Sequence, residues 1–203
     1  MPQPEIVRLM DHARIRLPGA IDTAILIEIF SVMKDFFIES NVWREAVPFQ
    51  VQEALLPASE DPESYSYQIT PAVGAFVRLL AVVDEAGRPI TATMPEPGRI
   101  VLAASPPGPR EYVAHLVLTV SDPTTQEDFP QFPLWVLNRY YNDILNGVLG
   151  QMMSQIAKPY SSPTMALGHL RTYRRGVGRA RVDARKQNVY AAQPWRFPRG
   201  FAN

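Results

Sequence analysis

The stretch LWVLNRYYNDILNGVLGQMMSQIAKPYSSPTMALGHLRTYRRGVGRARVDARKQN, residues 134 to 188, decides the fold. Apolar residues recur at intervals of three and four through 134–157, the period of a helix. Pro133 suits the first helical position, where no N–H is needed, and Lys158-Pro159 stops the run. At about 1.5 Å per residue the predicted rod is roughly 37 Å long. PYSS forms the corner. Ser162 with Pro163 then gives a cap followed by a first residue, and a further helix is predicted to about Asn188. On it Ala166, Leu170, Tyr173, Val177, Ala180 and Ala184 repeat at three and four, forming the seam toward the preceding helix. So short a connection makes the two helices antiparallel neighbours.

Upstream, LPGAIDTAILIEIFSVMKDFFIESNVW (17–43) reads as another helix, with Pro18-Gly19 before it and Asp22 or Thr23 as its cap. Glu28, Ser31, Asp35 and Glu39 form one polar stripe, while Ile25, Leu26, Ile29, Phe30, Val32, Met33, Phe36 and Phe37 fill most of the remaining circumference. Such a helix is covered on more than one side, and a neighbouring subunit could supply part of the cover. From about Phe49 to Val120 the period changes to two. SYSYQIT, AFVRLLAVV, RPITAT, RIVLAA and EYVAHLVLTV predict roughly five strands of a small antiparallel sheet or sandwich, and DEAGRP looks like a hairpin loop. In the last of these strands Tyr112, Ala114, Leu116, Leu118 and Val120 share one face. The expected class is α+β: a helical bundle over 1–48 and 129–188, an inserted β domain over 49–128, and an extended C-terminal arm over 189–203.

Composition narrows the chemistry. With 203 residues, 46% hydrophobic and 20% charged, the chain is long enough for a real core and too apolar for general disorder. It has no cysteine, which removes disulfides, thiol catalysis and cysteine-based metal sites. No apolar run approaches the roughly 18 residues needed to span a bilayer. MPQPEIVRLMDHARIRL lacks the apolar core and small-residue cleavage site of a secretory signal, so a soluble protein is expected. His12, His115 and His169 fall on a predicted loop, strand and helix with no second ligand at i+3 or i+4. No nucleophile elbow or phosphate-binding loop is present; Gly176-x-Gly178 lies in a helical pattern and reads as a place where helices approach closely. No catalytic residue, metal or cofactor is assigned.

The net charge of zero hides a division. Residues 1–157 carry 10 basic and 19 acidic residues, whereas residues 158–203 carry 10 basic residues and a single acid, Asp183. Arg171, Arg174, Arg175, Arg179, Arg181, Arg185 and Lys186 flank the apolar seam of the last helix. Three readings follow: subunit ion pairs, which arginine suits because its planar fork matches carboxylates, a solvated face, or contact with DNA phosphates. The terminus QNVYAAQPWRFPRGFAN (187–203) places Tyr190, Trp195, Phe197 and Phe201 among prolines. Either it folds back over its own domain, or it is a stiff arm whose rings enter pockets of a partner, since Trp, Tyr and Arg dominate interface energies.

Three stretches together, LPGAIDTAILIEIF, FPLWVLNRYYNDILNGVLGQMMSQIAKPYSSP and ARKQNVYAAQPWRFPRGF, resemble the head-to-tail adaptors of tailed bacteriophages, also called tail tubular or head-completion proteins. The resemblance implies a structural, non-enzymatic protein of the virion, made in the host cytoplasm. It implies a homo-oligomeric ring, typically of twelve copies, beneath the portal protein and above a tail nozzle or tail-tube protein. Double-stranded DNA would pass through its channel without sequence-specific binding, and no membrane is involved. In that family the C-terminal arm docks on the portal, a role that falls here on Tyr190, Trp195, Arg196, Phe197 and Phe201. The arginines of the last helix would then be a subunit interface or channel surface. The alternatives are another tail or baseplate component, or a DNA-binding accessory protein.

Overall fold

The structure is a computed structural model that describes residues 3–51, 66–103, 110–121 and 131–186. The fold is α+β, with four helices and two small antiparallel sheets among the described residues. The chain opens with α1 (Pro4–Arg16) and α2 (Asp22–Ser40), and then builds β1 (Arg44–Val51). Next come β2 (Ser66–Gln68), β3 (Ala75–Asp84), β4 (Pro89–Ile90), β5 (Ala92–Glu96), β6 (Arg99–Leu102) and β7 (Arg110–Thr119). It closes with α3 (Leu134–Ser154) and α4 (Pro163–Arg185). The portal-docking residues Tyr190, Trp195, Arg196, Phe197 and Phe201 lie outside the described residues.

α1 is the element that sequence patterning did not anticipate, and His12 sits on this helix instead of on a loop. Ile6, Leu9, Ala13 and the following Leu17 are buried at helical spacing against α2 and α3. Arg14 holds Asp22 across the α1–α2 turn with two hydrogen bonds of 2.9 and 2.7 Å. That contact corrects the expected cap: Ile21 is the N-cap of α2, with no side-chain cap bond, and the Asp22 carboxylate faces Arg14 instead.

The apolar circumference of α2 is largely covered within one chain. Ile25, Ile29, Val32, Met33, Phe36 and Phe37 are buried, and the helix touches α1, α3, α4 and β7. Cover from a neighbouring subunit is therefore not needed for these residues; Ile27 and Ile38 are the large aliphatics left exposed on α2. The helix ends at Asn41, whose φ of 55° is the left-handed conformation that asparagine tolerates better than most residues.

α3 ends at Ser154, four residues before Lys158-Pro159, because the corner makes its own bonds first. The Ser162 N–H donates to the Met153 carbonyl at 2.9 Å and the Lys158 N–H to the Ser161 hydroxyl at 2.9 Å. Pro133 is the N-cap of α3, and Pro163 opens α4 with Ser162 ahead of it, although that serine makes no side-chain cap bond. As the spacing predicted, Ala166, Val177, Ala180 and Ala184 are buried, with Leu170 and Tyr173 partly so.

The β region is larger than the expected five strands: seven strands form sheets in the orders β1-β7-β3-β4 and β2-β6-β5. β1 begins at Arg44, ahead of Phe49; its first five residues are exposed or half-buried, so their alternation is faint in sequence. All five residues expected on one face of EYVAHLVLTV are buried. α2 packs on β7, where the Thr119 hydroxyl donates to the Lys34 carbonyl at 3.1 Å.

DEAGRP is the hairpin loop between β3 and β4. The Asp84 carboxylate, 6% exposed, accepts the N–H groups of Ala86 at 3.0 Å and Arg88 at 2.8 Å, and the Arg88 Nε at 2.8 Å. The Arg88 N–H first, and its guanidinium next, hold the Asp84 carboxyl below its ordinary value. A depressed carboxyl contributes stability that is complete above the unfolded pKa of about 3.9 and is lost as pH falls through the folded value. Asp84→Asn should thus lower the unfolding midpoint at neutral pH, and its difference from the parent should shrink on acidification below about pH 4. A difference that stays constant between pH 7 and pH 2 in thermal scans would contradict this.

Candidate arginine interface

α4 carries six of the chain's seventeen arginines. Its apolar seam fixes one side against α2 and α3, so the guanidinium groups must leave from the flanks and the outer face. Arg171, Arg174, Arg175 and Arg185 are exposed and make no ion pair among the described residues. Arg179 and Arg181 differ: both find partners inside the chain. Arg179 pairs with Asp143 of α3, and Arg181 donates from Nε to the Glu39 carbonyl at 2.9 Å, with its carboxylate at 3.4 Å.

Between α3 and α4 lies a polar seam that sequence spacing did not disclose. Asp183 accepts from Arg139 at 2.7 Å and from the Tyr140 hydroxyl at 2.7 Å. Tyr140 is the one non-helical residue within α3 (φ −109°, ψ 21°), where its buried ring meets Phe36. Burial first, and the bond to Asp183 next, push its phenol upward, which keeps it a proton donor. Burial likewise raises the Asp143 carboxyl, with Arg179 opposing the shift. Gly176 lets this pair fit: a Cβ there would lie 2.5 Å from the Asp143 Oδ1. Gly176 therefore has the close-approach role expected of it, while nothing lies within 4 Å of the corresponding point at Gly178.

Arg181 and Arg185 also reach a cleft of about 610 Å3 at the C-terminal end of α2. Arg44 of β1 and Arg78 of β3 complete it. These two were not singled out from sequence because they lie 34 residues apart. The sheet joins them: both are in register with Val117 on the intervening β7. Arg78 Nε donates to the Asn41 side-chain oxygen at 2.9 Å, and Arg44 Nε to the Asn41 carbonyl at 3.2 Å. Partial burial first, and the charge of Arg78 second, hold the Arg44 guanidinium below its ordinary value. Four guanidinium groups face one carboxylate, Glu39.

The histidines remain apart from this site. His12 Nδ1 lies 2.9 Å from the Tyr141 hydroxyl, and His169 Nδ1 2.7 Å from the Asn146 side-chain oxygen. Among the described residues no three His, Asp or Glu side chains are placed to hold a metal, and no helix is long and apolar enough to cross a membrane. A second cavity, of about 570 Å3 beside β3, β4 and β5, is lined mainly by aliphatic residues. The arginine cleft can hold oxyanions; among its lining residues no nucleophile and base lie in hydrogen-bond reach of each other. Compared with protein-family models and with curated proteins, the chain matches none.

Proposed function

We propose that this chain is a structural head-to-tail adaptor of a tailed-phage virion. Copies form a ring, twelve by the resemblance, that joins the portal to the tail and continues the DNA channel, with the C-terminal arm docked on the portal. The observation that carries this reading is the outer face of α4. Arg171, Arg174, Arg175 and Arg185 lack acidic partners among the described residues of their own chain, while residues 1–157 hold nine more acids than bases. Opposite charges on separate parts of one chain suit a head-to-tail interface repeated around a closed ring.

Electron microscopy of the full chain mixed with its portal protein tests the reading, by showing a ring or none. Deleting residues 189–203 should abolish attachment. Trp195→Ala should weaken it by about 2 kcal/mol while leaving the unfolding midpoint unchanged, as truncation of an interface anchor does. Attachment of the Trp195 variant at the parent's affinity would remove the arm from the interface. The same four arginines favour a second reading, a DNA-binding accessory protein. In that case duplex binding by the monomer would fall steeply with salt, and no ring would form on the portal.

A further inference from the structure

The α2–sheet cleft has the makings of a receptor for carboxylates. Its four guanidinium groups come from β1, β3 and α4, and two are oriented by bonds to Asn41 at the end of α2. Arginines at a helix C-terminus have a local role, since the last carbonyls there lack intrahelical donors. That role uses Nε of Arg44 and Arg181 and leaves Arg185, with the outer nitrogens of Arg44, unpaired among the described residues. Among the described residues Glu39 is the only carboxylate in the lining, and it is bonded to Arg181, so Arg44 and Arg78 repel one another with no carboxylate of their own there. An arriving oxyanion would relieve that repulsion.

The lining also chooses the kind of oxyanion. Ile38 and Leu80, 38% and 42% exposed, stand in the same cleft as the arginines. A phosphodiester backbone would meet two aliphatic side chains and the Glu39 carboxylate. Glu39, bonded to Arg181, repels either kind of anion, but a protein segment with acidic and apolar residues can pair with the guanidinium groups and also cover both aliphatic side chains. This chain has carboxylates to offer: Glu28 and Asp35 on α2 make no ion pair among the described residues. We infer that the cleft formed by Arg44, Arg78, Arg181 and Arg185 receives carboxylate side chains of a second copy of this chain. The inference rests on the ring reading above and adds to it the contact through which one copy holds the next.

Sedimentation velocity of the full chain, alone and with its portal, tests it against two variants. In Arg44→Gln/Arg78→Gln the midpoint concentration of self-association should rise about tenfold, and in Arg185→Gln about threefold. Added salt should weaken the parent's association more than that of either variant. Arg185 makes no bond within the described residues, so its variant tests the cleft even where the double variant fails to fold. A parent that forms rings beside an Arg185→Gln variant associating identically overturns the cleft assignment and leaves the adaptor reading standing. A parent that stays monomeric with and without portal overturns both. Loss of duplex DNA binding in the variants, measured by fluorescence anisotropy, with self-association unchanged, would overturn the inference and give the cleft to nucleic acid.

Discussion

Phe36→Ala is expected to destabilise the protein by about 3–5 kcal/mol, the range for truncating a fully buried aromatic whose surroundings cannot collapse around the gap. Phe36 is 0% exposed and stands where three helices meet. Its ring centroid lies 5.3 Å from Tyr140 of α3, 6.2 Å from Tyr173 of α4 and 6.3 Å from Phe37 of α2 itself. Collapse is resisted because both tyrosines are tethered, Tyr140 to Asp183 at 2.7 Å and Tyr173 to the Val32 carbonyl at 3.2 Å. A cavity should remain, and with it the larger end of the range. Domains of this kind hold only about 5–15 kcal/mol in total, so the variant would be visibly weakened in urea titration. Phe36→Leu should recover most of the loss. A change below about 1 kcal/mol in the alanine variant would mean that this cluster does not join the bundle.

What could be read in advance is what depends on neighbours in sequence. The α3–α4 hairpin, the shared face of β7 and the Asp84 hairpin loop all arise from local periodicity or turn chemistry, and all stand where expected. α1 escaped because Arg8, Asp11, His12, Arg14 and Arg16 dilute its apolar spacing, and because its start carries a proline but no polar cap bond. Its stability comes from partners distant in sequence: His12 with Tyr141, and Arg8 over the same ring at 5.3 Å. The candidate site divides in the same way. The α4 arginines were legible as a cationic helix. Which of them are neutralised was not, since Asp143 and Glu39 lie on α3 and α2. Arg44 and Arg78 are functional candidates only through the register of two strands with β7, and no spacing in the chain announces that.

Gly176→Ala gives the second large effect and separates packing from helix propensity. In an exposed helix, replacing glycine by alanine favours the folded state by about 0.5–1 kcal/mol, because glycine loses more backbone freedom on folding. Gly178 should show that gain, since a Cβ there meets nothing within 4 Å. Two residues earlier the sign reverses. A Cβ added at Gly176 would sit 2.5 Å from the Cβ and the Oδ1 of Asp143, a separation that packed atoms do not tolerate. Asp143 cannot simply rotate away: it is 7% exposed, and its carboxylate is paired with Arg179. Either α3 and α4 move apart, opening the seam at Val177 and Ala180, or the carboxylate leaves its arginine and remains buried without it. Both routes cost stability, and the expected net loss is about 3 kcal/mol. Adding Asp143→Gly to Gly176→Ala removes both the obstructing carboxylate and the Cβ beneath it, so the double variant should be less unstable than the two single losses predict. Additive losses in urea titration would place the obstruction elsewhere, and a stabilised Gly176 variant would show that α3 and α4 do not approach at this point.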